Sequence, residues 1–100
     1  MSVYALLENV KVNTTGLESS IRQSGNHAPP AKMFLQIAMT GTASVQLQVK
    51  VVKTAPWIDF GAPFSIPAVM HIDPLPFIRA VASDMGSDSS VSVWVAWGWY

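Results

Sequence analysis

His71 and Asp73 stand two positions apart, so on an extended strand their side chains share a face, as a metal pair or a carboxylate-oriented imidazole requires. The other histidine, His27, lies in a distant segment ahead of Pro29-Pro30, and Asp73 directly precedes Pro74, where aspartate commonly caps a turn. A turn is therefore expected there, and no metal site. Asp84-Met85-Gly86-Ser87-Asp88 sets two carboxylates around a glycine, faintly like a calcium loop. It lacks the alternating oxygen ligands and closing glutamate of an EF-hand, so a hairpin turn is expected instead. Serine, histidine and aspartate are all present, but without a Gly-x-Ser-x-Gly elbow, a Gly-rich phosphate loop or His-Glu-x-x-His they remain residue types without machinery. The chain reads as a non-enzyme with no catalytic residues, no cofactor and no metal. Asn13-Thr14-Thr15 fits the glycosylation acceptor pattern, which carries meaning only in a secreted eukaryotic chain.

The aromatic residues say more. Four tryptophans occur in 100 residues, and Trp94, Trp97 and Trp99 crowd the last seven positions. In the alternating run from Ser90 to Tyr100, Trp97 and Trp99 share a face with Val91, Val93 and Val95 and are expected in the core. Trp94 shares the opposite face with Ser90, Ser92 and Tyr100, and three readings stay open for it: a second buried face, an anchor in a subunit interface, or a stacking platform for a sugar ring. Arg79 lies inside the apolar run Phe77-Ile78-Arg79-Ala80-Val81, so its charge must reach the sheet rim or pair with a carboxylate, within the monomer or across an oligomer. Phe34, Trp57, Phe60, Phe64 and Phe77 read first as core or interface filling.

The elements that position these residues are strands. Ser44 to Val51 alternates apolar odd and polar even positions, Lys32 to Thr40 places Met33, Leu35, Ile37 and Met39 on one face, and a hairpin is expected near Gly41 between them. Further strands are expected at Tyr4 to Val12, Trp57 to Phe60, Ala68 to Ile72 and Phe77 to Ser83, with Pro56, Pro63, Pro67, Pro74 and Pro76 falling between runs. Residues 13–31 read as a long loop or arm, with room for at most one helical turn at Leu17 to Gln23. The fold class is all-β, a two-sheet antiparallel β-sandwich of about seven or eight strands, with jelly-roll and immunoglobulin-like topologies both open.

Size and charge bound the function. One domain spans 1–100, and area scaling gives roughly 65% of the extended surface buried, enough for a core with little margin. Half the residues are hydrophobic and only 12% are charged, so part of the outside is expected to be covered by protein. Six basic and six acidic residues cancel, leaving no electrostatic footprint for nucleic acid and no polybasic strip for a membrane. No apolar run reaches the length of a spanning helix and the start carries no basic leader, so the expectation is a soluble chain made in the cytosol.

Thr40-Gly41-Thr42-Ala43-Ser44-Val45-Gln46-Leu47-Gln48, then Trp57, then Asp73-Pro74-Leu75-Pro76-Phe77-Ile78-Arg79-Ala80 and a Ser/Gly-rich turn into a Val-rich last strand resemble small β-sandwich virion proteins of tailed bacteriophages. The likeness covers roughly residues 33–97. Lys53-Thr54-Ala55-Pro56 stands where that pattern has an Asn-Asp-Gly turn. The resemblance implies a capsid cement or decoration protein on the virion exterior, made in the host cytoplasm and partnered by the major capsid protein and by itself as homodimer or homotrimer. The interface residues expected on this reading are Tyr4, Trp94, Trp97, Trp99, Tyr100 and Arg79, with the N-terminal arm and the 13–31 loop as further contacts. The alternative is a receptor- or glycan-binding module of a tail or head fibre.

Overall fold

Two nine-residue runs with strict alternation pair antiparallel along their whole length, from Lys32 opposite Gly98 to Thr40 opposite Ser90. The structure, a computed structural model, describes residues 2–20, 32–72 and 76–98. These form nine strands: β1 (Ser2–Val10), β2 (Thr14–Thr15), β3 (Ser19–Ser20), β4 (Lys32–Thr40), β5 (Ser44–Lys50), β6 (Ile58–Asp59), β7 (Ala68–Ile72), β8 (Phe77–Ser83) and β9 (Ser90–Gly98). The first sheet runs β1-β9-β4-β7 and the second β2-β8-β5-β6, with β3 also on β8, and every pairing is antiparallel.

The sandwich is the expected fold class, and its core follows from the period-two pattern. Met33, Leu35 and Ile37 of β4 and Val91, Val93 and Val95 of β9 face Val45 and Leu47 of β5 and Ile78, Ala80 and Ala82 of β8, each at most 2% exposed. Burying a side chain of this kind is worth about 1.5–3 kcal/mol, so the two interleaved rows supply most of the driving force.

β2 and β3 are halves of one strand. Thr14 and Thr15 pair with Ala82 and Val81, and Ser19 and Ser20 with Ile78 and Phe77, so this strand carries one more residue than β8 across the gap. The extra residue makes a bulge within residues 16–18, where the Gly16 amide donates to the Ala80 carbonyl at 2.9 Å. With the halves counted as one, the sheet orders become 1-8-3-6 and 2-7-4-5, the jelly-roll arrangement, which decides between the two topologies left open. The segment expected as a long loop from 13 is thus edge strand as far as Ser20, while 21–31 lie outside the described residues.

Neither expected hairpin is one. β4 and β5 belong to different sheets, as do β8 and β9, so the turns at Gly41 and at Asp84–Asp88 carry the chain across the ~10 Å between sheets. Alternation tells which side of a strand is apolar, and a hairpin and an arch satisfy it equally. The two arches sit side by side: the Gly86 amide donates to the Thr42 carbonyl at 2.8 Å, and the Ser89 hydroxyl, buried, donates to the Gly86 carbonyl at 2.7 Å. Gly41 has φ +71°, and a Cβ there would lie 3.0 Å from the Ser89 Cα, so this turn needs glycine. The Asn13 side-chain oxygen accepts from the Met85 amide at 3.2 Å, which gives that asparagine a structural task.

Gly16 is the most crowded of the described glycines Gly16, Gly41, Gly61 and Gly86. A Cβ there would overlap the Leu6 carbonyl oxygen and stand 2.9 Å from Leu7 Cδ2 and 3.1 Å from the Ala80 oxygen. Gly16→Ala should therefore cost about 2–4 kcal/mol in urea unfolding, whereas Gly61→Ala, with φ +76° and open space around it, should cost about 1 kcal/mol.

Candidate interaction surface

Because the odd residues of β4 and β9 point inward, Phe34, Gln36, Ala38, Ser92, Trp94 and Ala96 point out of the sandwich. The register lines them up with the flanking strands into two rows across the first sheet. One reads Val3, Ala96, Phe34, His71; the other reads Ala5, Trp94, Gln36, Val69. Neither row holds an Asp, Glu, Lys or Arg. Val3 is 67% exposed and Val69 74%, and between them lies a shallow groove of about 500 Å³ floored by Phe34, Gln36, Trp94 and Ala96. The His71 ring tilts at 58° against Phe34 with centroids 6.2 Å apart. This face offers apolar area and one central amide, chemistry suited to burying against another protein surface.

The structure places the expected interface residues unequally. Trp94 stands in the middle of the open face, half-buried by its own sheet. Tyr4 lies on the β1 edge opposite Val95, 40% exposed, in the inward-pointing row. The Trp97 backbone pairs with Met33 and Ser2 at the end of β9. Trp99, Tyr100 and the turn residues Asp73-Pro74 lie outside the described residues. Phe34, read first as filling, belongs to the open face, and its even position among the polar positions of β4 is the signal that marks it.

Arg79 lies on the other side of the sandwich. Its Nε donates to the Gln48 oxygen at 2.8 Å, and the Gln48 amide donates to Asp59 Oδ1 at 3.0 Å, so the charge reaches a carboxylate through an intervening amide. The guanidinium sits 4.5 Å from the Trp57 ring centroid, and Lys50 Nζ sits 4.4 Å from the same ring and 5.6 Å from that of Phe77. Lys50 also donates to the Lys53 carbonyl at 2.8 Å and lies 3.8 Å from Glu18, its side chain only 9% exposed. Trp57 thus holds the 51–57 connection down on the outside of the second sheet through two cations, each worth about 0.5–2 kcal/mol. Of the two readings, core or interface filling, the structure sets aside the core for Trp57 and Phe77, which lie on the outer surface of this sheet. Gln48 and Lys50 were not singled out from sequence, because their partners come from register with β8 and from a loop that folds back. Among the described residues no three His, Asp or Glu side chains form a group that could hold a metal ion.

The two tryptophans on opposite outer faces therefore differ in their surroundings. Trp57→Leu, which keeps apolar bulk and removes the π face, should lower stability by about 1–2 kcal/mol in urea unfolding. Trp94→Leu should change it by less than about 0.5 kcal/mol, since nothing in the described molecule packs over that ring.

Comparison with protein families, with curated proteins and with solved structures finds no match to this chain.

Proposed function

We propose that this chain is a structural virion protein of a tailed bacteriophage, a cement or decoration protein that sits on the capsid exterior and bridges and stabilises major capsid protein subunits. The observation that carries the reading is the pair of rows across the first sheet that hold no Asp, Glu, Lys or Arg, have Trp94 at their centre and are covered by no described residue. A face of this kind is a liability on a lone small protein and an asset in an assembly. The neutral charge balance adds support, because a cement protein occupies many equivalent sites on one shell and net charge would make neighbouring copies repel. The work is done by burial, with no bond made or broken. Among the described residues no helix is long and apolar enough to cross a membrane.

The size of the face sets the strength. Strand spacing of about 4.8 Å and rise of about 3.4 Å give its two rows across four strands roughly 260 Å². At about 25 cal/mol per Å² that is a gross 6–7 kcal/mol, comparable with the 4–15 kcal/mol cost of association. Each copy binds modestly, and many copies together stiffen a shell against internal pressure.

One observation favours the second reading, a glycan- or receptor-binding module. Gln36 stands directly opposite Trp94, so a ring stacked on the indole would meet an amide. The surrounding rows add only Ser92 and His71 as further polar side chains, a sparse set for a sugar.

The test is light scattering and sedimentation of the purified chain mixed with capsids stripped of it. Rebinding that raises the shell's disruption temperature is the expected result. Trp94→Ala should weaken rebinding by about 30-fold, the scale of a central aromatic anchor, while remaining folded. A chain that ignores the shell and binds oligosaccharides on an array contradicts the cement reading and favours the second.

A further inference from the structure

The four sheet edges differ in how they are protected. β1 has two register shifts along β9 and a positive φ of 47° at Asn9. The β2/β3 edge is split by the bulge within residues 16–18. β6 is two residues long, and the chain beyond it meets β5 again at the Val45–Phe64 bridge only after the bend at Gly61, whose φ is +76°. These are the devices by which natural sheets avoid joining one another. β7 has none of them. Ala68-Val69-Met70-His71-Ile72 pairs with β4 without a shift, carries no Lys, Arg, Asp, Glu or Pro, and has no described strand on its far side.

The core is also less sealed there. At the β1 edge the inward Leu6 and Leu7 are 2% and 4% exposed, whereas the inward Met70 and Ile72 of β7 are only partly buried against the core. A strand laid along β7 would finish their burial and satisfy the outward backbone groups together.

We propose that the β7 edge pairs with the β7 edge of a second copy of this chain across a two-fold axis at Met70. Antiparallel pairing of a five-residue strand about its centre uses all of it, placing Ala68 opposite Ile72, Val69 opposite His71 and Met70 opposite itself. No charged pair is brought together, and the chain has no net charge to oppose association. The two open faces then become one continuous floor, since Val69 ends the Trp94 row at this edge.

Area argues for a second copy in particular. The pairing rests on the docking role proposed above: one face against a shell buries roughly 500 Å² in total, below the ~1,000 Å² a stable interface needs, while two faces side by side reach about 1,000 Å². The edge contact alone is small, so the dimer is weak in solution and is completed by docking.

The chain has no cysteine, which makes cross-linking specific. Val69→Cys and His71→Cys both fall on exposed side chains and leave the fold intact. Under mild oxidation a mixture of the two variants should cross-link at least about tenfold faster than either alone, because only unlike cysteines come within disulfide reach. Val69→Cys mixed with Thr40→Cys should show no acceleration. A mixture no faster than its components, a Val69→Cys variant that links to itself as fast, or an equally fast Thr40→Cys control overturns the pairing. If the wild-type chain still rebinds stripped capsids in any of those cases, the cement reading stands without the dimer. If the dimer forms and stripped capsids ignore it, the pairing stands and the cement reading falls.

Discussion

The pairing of β4 with β9 joins residues 32–40 to residues 90–98, and every other part of the molecule is placed by it. One strand comes from the middle of the chain and the other from its end, so the central sheet cannot form until most of the chain is present. The partners β1 and β7 flank the pair, the arches at Gly41 and Asp84–Asp88 leave from its same end, and the second sheet is carried beneath it. The register also decides both surfaces at once. A slip of one residue would turn Met33, Leu35, Ile37 and the three valines to solvent and bring Gln36 and Ser92 into the core, a change the burial energy forbids.

The same alternation makes two outer faces, and the molecule treats them differently. On the second sheet the aromatic surface of Trp57 is held against Lys50 and Arg79, whose charges are answered by Glu18 and, through Gln48, by Asp59. On the first sheet Trp94 and Phe34 lie among valines and alanines with no charge beside them and nothing described above them. The contrast fits stability on one face and, on the proposed function, association on the other.

Much of the fold could be read in advance because it depends on local alternation. Lys32–Thr40, Ala68–Ile72 and Phe77–Ser83 have the boundaries their patterns predict, the last strand starts at Ser90 as expected, and the first lies two residues earlier than its pattern. Sheet membership could not be read, since an arch and a hairpin place the same residues inward. The bulge within residues 16–18 was hidden in a polar stretch whose pairing comes wholly from β8. At the surface, the outward aim of Trp94 was legible from the serines that share its side of β9. Its neighbours were not, because Val3, Gln36 and Val69 arrive from three strands through register. The same holds for Arg79, whose route to Asp59 runs through a glutamine on the adjacent strand.

The central claim is that the molecule acts by burying the outer face of its first sheet. Hydroxyl-radical footprinting of the free and shell-bound protein tests it most directly, because both faces carry a reactive aromatic. The account predicts that Phe34 and Trp94 lose reactivity on the shell while Trp57 keeps its own. Unchanged reactivity at Trp94, or protection confined to Trp57, would contradict it.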